Sequence, residues 1–359
     1  MKLPHALVWV VSANVWWVLL LSYIYGALVR RRRRWYADHP SARRRLTCPV
    51  ISVGNLTVGG SGKTPVVAYL ARLLLELGER PAILSRGYGR KRTSDDVVVV
   101  GDGKRIHADL LKSGDEPLML ARALPGIAVL VARERYLAGR FAEDQLACTV
   151  HLLDDGFQHL MLERDLDLLL ISQNDLENAS LLPRGSLREP LEAASAADAV
   201  IVTGTSELIL DDVVRRFDVK RGFLAQWHQG DARVVGQVDQ LISAKPDMRV
   251  MAFAGIARPE RFFDGLRAAG WSLQQTITFR DHYQYTESDI NKLRQQVRDS
   301  GIDLVLTTEK DLVRLLDFTP LSLPLAWVPL TVSLNPENDF RTWLVQRLCS
   351  VRESGDRST

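Results

Sequence analysis

Cysteine is scarce: the 359-residue chain has 3, Cys48, Cys148 and Cys349, far apart and without a Cys-x-x-Cys pair. That excludes a disulfide framework or a cysteine zinc site as the basis of the fold, and a reducing compartment fits. Internal repeats are absent. So is any large excess of one charge, since 46 Lys and Arg face 43 Asp and Glu for a net +3. The positive charge is concentrated at Arg30 to Arg34 and Arg43 to Arg45, without which the chain is slightly acidic. Those arginines adjoin an apolar segment and lack an aromatic-studded surface, so nucleic-acid binding is not expected. What the chain does have is 46% hydrophobic and 25% charged residues, a core-forming composition that excludes disorder throughout. Its length suits two domains plus an anchor.

The segment from Ala6 to Val29 carries no formal charge and includes Trp9, Trp16, Trp17, Tyr23 and Tyr25. As a helix it is about 36 Å long, enough for a hydrocarbon core of ~30 Å. Five arginines follow directly with no small-residue cleavage site between, which disfavours a signal peptide, and a buried core helix needs no polyarginine exit. The expectation is a membrane anchor with its basic flank on the cytoplasmic side, against anionic head groups. Ser12, Asn14 and Ser22 do not form one polar face, and composition leaves open whether the helix spans or lies in the interface.

Beyond the basic stretch, continuous apolar runs alternate with helical patterns. Strands are expected at 49–53, 81–85, 96–100, 128–131, 149–153, 166–171 and 199–202, with a helix over 65–77. Continuous apolar strands separated by helices indicate a mostly parallel sheet covered on both faces. Two alternating segments, 223–228 and 232–238, flank Gly230-Asp231 and read as a hairpin. A second α/β unit follows, with strands at 250–254 and 303–307, helices at 259–269 and 287–300, a possible strand at 327–332 and a closing helix at 339–349. The fold class is α/β: a P-loop NTPase-type sheet domain, a second smaller α/β domain and an N-terminal membrane-anchoring helix. The expected division is 1–35 anchor and flank, 36–222 P-loop domain, 223–244 hairpin linker, 245–350 smaller domain and 351–359 disordered tail.

Thr57, Val58, Gly59, Gly60, Ser61, Gly62, Lys63 and Thr64 lie between the first apolar strand and the first long helix, where a phosphate-binding loop belongs. Glycines let several N–H groups point at one anion, Lys63 supplies a cation for the β- and γ-phosphates, and the Thr64 hydroxyl can ligate Mg²⁺. Thr57 stands where the usual pattern has glycine. Val150-His-Leu-Leu-Asp154-Asp155 has the shape of a Walker B strand, and either aspartate can hold the metal. ATP and Mg²⁺ are the expected cofactors. Guanine selectivity is not indicated: the nearest approach to Asn-Lys-x-Asp is Glu309-Lys-Asp-Leu312.

Val53-Gly-Asn-Leu-Thr57 running into Gly59-Gly-Ser-Gly-Lys-Thr-Pro65, then Leu84-Ser-Arg-Gly-Tyr-Gly89, Gly114-Asp-Glu-Pro117, Asp154-Asp-Gly-Phe-Gln-His159, Leu182-Pro-Arg-Gly-Ser-Leu-Arg-Glu-Pro190 and Asp281-His-Tyr283 together resemble the tetraacyldisaccharide 4'-kinase family of lipid A biosynthesis. The resemblance runs from the N-terminal helix to about residue 335, and the family shares the Thr57 departure. It implies transfer of the ATP γ-phosphoryl group to the 4'-hydroxyl of an acylated glucosamine disaccharide 1-phosphate at the cytoplasmic face of the inner membrane, with no obligate protein partner. It further implies Asp115 as base, on a loop restricted by Pro117, and His282 as its partner in a dyad reaching across a domain cleft. Lys63 would stabilise the transferring charge, and Gln158, His159, Arg184, Arg188 and Arg86 would lie near the lipid substrate. The competing reading is a membrane-tethered P-loop ATPase or GTPase with a protein client, which leaves the Gly-Asp-Glu-Pro and Asp-His-Tyr segments unexplained.

Overall fold

The computed structural model describes residues 5–90, 96–177, 179–204, 207–237 and 240–356, and side chains from 16 to 354. Contacts divide the chain into two units, each assembled from separated segments: Met1–Lys63 with Val150–Gln226 and Leu334–Thr359, and Thr64–Thr149 with Trp227–Ser333. The linear division at 222 and 245 is therefore not how the contacts partition. Helices and strands are numbered along the whole chain.

In the first unit, β1 (Val50–Asn55) lies between β5 (Val150–Asp154) and β6 (Leu166–Ser172), and the sheet continues through β7 (Ala199–Thr203) to β8 (Gly222–Gln229), every pairing parallel. β1 and β5 are buried at every position, which is why they read as continuous apolar runs. Val53 is in register with Asp154, so the end of β5 adjoins the strand that leads into the phosphate loop. Phe157, Leu169, Val200, Val202 and Leu224 form a core with Val213 and Phe217 of α7 (Glu207–Phe217). The short helix α6 (Gln173–Glu177) follows β6. Phe340 and Trp343 of α11 (Glu337–Asp356) pack on Phe223.

The N-terminal helix α1 (His5–Asp38) docks on this unit through one face. The Ser22 hydroxyl donates to the Leu181 carbonyl at 3.0 Å, Tyr25 donates to the Arg188 carbonyl at 2.9 Å, and Arg33 pairs with buried Glu189 at 2.8 Å. Spacings of three, eight and eleven residues keep these groups on one side of an α-helix. The segment is therefore one-sided where side chains are described, although Ser12 and Asn14 hide this in the sequence. Trp16, Trp17, Leu20, Leu21, Tyr23, Ile24 and Leu28 remain exposed. Among the described residues, no helix is long and apolar enough to cross a membrane.

The second unit holds strands of two sheets. β2 (Pro81–Ser85) pairs in parallel with β4 (Ala128–Ala132), and β3 (Val97–Asp102) runs antiparallel to β4. Its helices are most of α2 (Lys63–Glu76), α3 (Leu110–Ser113), α4 (Asp115–Ala123) and α5 (Arg135–Leu146). In the other sheet, β12 (Leu273–Thr278), β11 (Val250–Ala254), β13 (Leu304–Thr308) and β14 (Leu325–Val328) are parallel in that spatial order, and β9 (Ala232–Val234) and β10 (Leu241–Ile242) extend it antiparallel. β11 is buried on both faces. Val250, Ala252 and Ala254 meet Phe262, Phe263 and Leu266 of α8 (Pro259–Ala268), while Met251 and Phe253 meet Tyr285 and the Ile290 and Leu293 side chains of α9 (Glu287–Ser300). α10 (Glu309–Leu315) follows β13 directly, and β15 (Leu330–Asn335) carries the chain back to the first unit.

Three expectations are corrected, and one strand was not foreseen. The segments taken as a hairpin do not pair with each other: β8 joins β7, whereas β9 joins β10 and β14, because each completes a different sheet. Val238, the expected end of that hairpin, lies outside the described residues. The single strand expected at 327–332 is two, β14 and β15, interrupted at Pro329, which cannot donate to a ladder. The segment after Val351 continues α11 to Asp356, and 357–359 lie outside the described residues. β12 was not expected because Leu-Gln-Gln-Thr-Ile-Thr is polar on its outer face, as an edge strand can be.

Phe253 is fully buried, with its ring against Phe279 and Tyr285. Phe253→Ala is expected to lower unfolding free energy by about 3–5 kcal/mol in denaturant titration, from lost transfer energy plus a cavity. A loss below about 1 kcal/mol would mean that the ring is not central to this core.

Candidate active site

Asn55, the last residue of β1, is fully buried and organises the phosphate loop. Its Oδ1 accepts from Lys63 Nζ at 2.9 Å and from Arg188 Nη2, and its Nδ2 donates to the Thr57 hydroxyl at 3.0 Å. The threonine at the usual glycine position is thus a buried partner of Asn55. The Val58 N–H donates to the Ser186 carbonyl and the Arg188 N–H to the Leu56 carbonyl, fastening the loop to the segment around 181–189. Gly62, at φ 85°, turns the chain into the N-terminus of α2 in a conformation costly for other residues. Lys63 also reaches the Ser61 hydroxyl at 3.2 Å and Asp155 at 3.4 Å.

Asp155 follows β5 with φ 58° and takes the Arg188 guanidinium as a fork, at 2.7 and 2.8 Å. Burial pushes its pKa up, but the Arg188 hydrogen bonds and the Lys63 charge outweigh that and hold it down to about 2. Asp154 is buried at the end of β5.

The second unit brings Asp115 and His282 together. Asp115 is the first residue of α4 rather than part of a loop, and Pro117 falls in the first turn, where its missing N–H costs nothing. Gly114 makes the entry possible: at φ 82° it passes so close to the Tyr88 carbonyl that a Cβ would sit 2.6 Å from that oxygen. His282 is at φ 56°, a left-handed turn position that histidine tolerates better than most residues, and Asp281 Oδ1 accepts its N–H at 3.0 Å. His282 Nδ1 meets Asp115 Oδ2 at 2.8 Å, and the imidazole lies edge-on to the Tyr88 ring. Both partners belong to one compact unit, which corrects the expectation of a dyad across a domain cleft.

Asp115 is 6% exposed and has further partners. Arg314 Nε donates to its Oδ2 at 2.8 Å and Arg314 Nη2 to the same oxygen, while Oδ1 accepts only the Glu116 N–H, at 2.9 Å, among the contacts described. Burial pushes the Asp115 pKa up, yet the His282 hydrogen bond and the Lys310 and Arg314 charges hold it well below the usual carboxylate range. Lys310 lies within 2.9 Å of Glu116, 3.2 Å of His282 Nε2 and 3.6 Å of Asp281.

Among the remaining expected residues, Gln158 donates to the Asn55 carbonyl at 2.9 Å, and His159 follows in the same turn. Arg188 is engaged by Asp155 and Asn55. Arg184 is exposed in the first unit, with its N–H on the Ser22 hydroxyl, and Arg86 is exposed after β2 in the second. Of the basic flank, Arg33 faces inward, pairing with Glu189 and covering the Phe157 ring, and Arg32 donates to the Gln158 carbonyl. Asn55, Lys310, Asp311 and Arg314 were not anticipated. The Lys310 to Arg314 spacing of one helical turn, directly after an apolar strand, is the signal that could have found the last three.

The family profile for tetraacyldisaccharide-1-P 4'-kinase matches residues 14–349. The chain belongs to this family. It is accordingly a phosphotransferase, as the motifs implied. Among the curated tetraacyldisaccharide 4'-kinases it is similar to that of Geobacter sulfurreducens, 42% identical over 81% of this chain and 82% of the relative. The relative from Desulfotalea psychrophila is 38% identical over 93% and 96%. The crystal structure of LpxK from Aquifex aeolicus in complex with ATP superposes with a TM-score of 0.76 at 32% identity, covering 92% of this chain and 98% of that one.

The Asp155 pairing has a definite sign with pH. A depressed carboxyl pKa adds stability that is complete above the ordinary 3.8 and is lost as pH falls through about 2. In Arg188→Met, the Asp155 carboxyl followed by ¹³C NMR is expected to titrate at higher pH than in the parent. An unmoved titration would remove Arg188 as the cause.

Proposed function

We propose that the chain transfers the γ-phosphoryl group of ATP to the 4'-hydroxyl of a tetraacylated glucosamine disaccharide 1-phosphate, with Asp115 as the group that receives the hydroxyl proton. The observation that carries the residue assignment is the Asp115 environment. Oδ2 is taken by His282 and Arg314, whereas Oδ1 has one backbone donor, leaving a lone pair for a hydroxyl. The hydroxyl oxygen forms its bond to the γ-phosphorus, the bond from that phosphorus to the β,γ-bridging oxygen breaks, ADP leaves with those electrons, and the hydroxyl proton passes to Asp115 Oδ1.

Residues 57–64 are assigned to the triphosphate: N–H groups of the exposed 58–60 turn and the α2 N-terminus face the anion, and Lys63 stabilises charge on the transferring group. Thr64, Asp154 and Asp155 supply hydroxyl and carboxylate oxygens only, the hard donor set that Mg²⁺ takes. Bound there, Mg²⁺ neutralises phosphate charge. Gln158, His159, Arg184 and Arg188 are assigned to the lipid head group together with Arg86. The exposed Arg184 and Arg86 are the better guanidinium donors for its 1-phosphate, because Arg188 is already bound to Asp155.

The cytoplasmic face of the inner membrane is the proposed location. Support comes from the exposed Trp16, Trp17, Leu20, Leu21 and Leu28 on α1 and from exposed Arg30, Arg31 and Arg34 beyond them. An acylated substrate stays in the bilayer, so holding the enzyme at that surface raises encounter frequency.

The test is transfer of ³²P from [γ-³²P]ATP to the disaccharide 1-phosphate in mixed micelles with Mg²⁺, where the expected product is a labelled glycolipid. ATP hydrolysis without labelled lipid would favour the protein-client reading. Asp115→Asn is expected to lower kcat by roughly 10²- to 10⁴-fold with little change in the KM for ATP. Unchanged turnover would take Asp115 out of the proton-accepting role.

A further inference from the structure

The stretch Glu309-Lys-Asp-Leu312, which matched no nucleotide-binding pattern, forms the start of α10 and sits against the proposed dyad. Three acceptors surround the Lys310 ammonium: Glu116 Oε1 at 2.9 Å, His282 Nε2 at 3.2 Å and Asp281 Oδ1 at 3.6 Å. An ammonium has three N–H donors and no acceptor. Its side chain is 17% exposed, so these contacts are made largely out of water.

Resting on the Asp115–His282 reading above, we propose that Lys310 is a positioning residue that keeps His282 Nε2 unprotonated, so that with Asp115 on Nδ1 the ring is held in one tautomer and one orientation. The ammonium can only donate to Nε2, so that nitrogen presents its lone pair and the ring proton is on Nδ1. Nδ1–H then donates to Asp115 Oδ2 at 2.8 Å. An imidazolium in this position would set an N–H against an ammonium N–H. The ring orientation follows from the same contacts, because turning the imidazole over would place carbons against both Asp115 and Lys310. Free histidine in water prefers the proton on Nε2, so the protein has reversed the usual tautomer.

This assigns the protons of the site. His282 does not shuttle a proton, since one nitrogen is fixed as donor to Asp115 and the other as acceptor from Lys310. Arg314, one turn further along α10, binds Asp115 directly, so one short helix orients both members of the dyad.

The test combines spectroscopy with kinetics on the full-length enzyme. With ¹⁵N-histidine labelling and the His282 signals identified by their loss in His282→Gln, the parent is expected to show a protonated Nδ1 and an unprotonated Nε2. In Lys310→Met the Asp115 carboxylate is expected to keep the proton on Nδ1, while the Nε2 signal moves toward the protonated form. There kcat for lipid phosphorylation is expected to fall about 10- to 100-fold, with the KM for ATP within about threefold. Lys310→Arg, which can still donate to Nε2, is expected to recover most of both. A protonated Nε2 in the parent, or an Nε2 signal and kcat unmoved in Lys310→Met, would overturn the proposal. Full turnover in Asp115→Asn would be a separate failure, of the dyad reading, and the tautomer measurement does not depend on it.

Discussion

A buried guanidinium between two aspartates organises the second unit. Arg314 spends its donors on Asp115, on Asp311 and on the Gly255 carbonyl, and Asp311 in turn accepts from the Gly255 N–H, the Tyr285 hydroxyl and the Thr308 hydroxyl. Asp311 is fully buried and Arg314 is 4% exposed, so the arrangement persists only because the opposed charges also satisfy each other's hydrogen bonds. Removing one member of such a set leaves an uncompensated buried charge, a cost of about 3–5 kcal/mol. The network therefore joins the ends of β11 and β13 to the first turn of α4, and Asp115 inherits its orientation from the sheet core.

For the proton-accepting role proposed for Asp115, the same charges that place the carboxylate also weaken it. A carboxylate held well below its usual pKa is a poor resting place for a proton, yet a phosphoryl transfer with a loose transition state asks for little proton removal before the bond to phosphorus forms. In that regime the property that the proposed role needs of Asp115 is a fixed lone pair to orient the hydroxyl, with the proton following late. Rigidity then matters more than basicity. The unprotonated Nε2 proposed for His282 fits this, because a charged ring would add a third cation to Lys310 and Arg314 around the carboxylate.

Much of this was legible in the sequence, and what was not has physical reasons. Parallel strands buried on both faces announce themselves as apolar runs, so β1, β5, β6, β7, β11 and β13 were located closely. Edge elements such as β12 and β10 were hidden, since a strand with one wet side need not be apolar. The phosphate loop is contiguous and could be read directly. The polar network is not: Asp115 and Arg314 are 199 residues apart, and nothing local to Arg314 says that it is buried. The contact partition differs from the linear division for a related reason, because segments distant along the chain share a unit.

In the first unit, the exposed apolar face of α1 and the phosphate loop are connected through one segment. Ser22 and Tyr25 hydrogen-bond the carbonyls of Leu181 and Arg188, and Arg33 pairs with Glu189. That stretch contributes the Ser186 carbonyl to Val58, the Arg188 N–H to Leu56, and the Arg188 guanidinium to Asp155 and Asn55, which also hold Lys63. The Ser22 to Arg33 part of α1 is thus joined to the phosphate-loop lysine through one layer of hydrogen-bonded chain rather than a flexible linker. The proposed location at a bilayer surface, with the substrate head group emerging only a short way from it, would call for this kind of short mechanical path. Were α1 the lipid-binding surface proposed above, a mobile hinge here would let the helix bind lipid while the loop faced elsewhere.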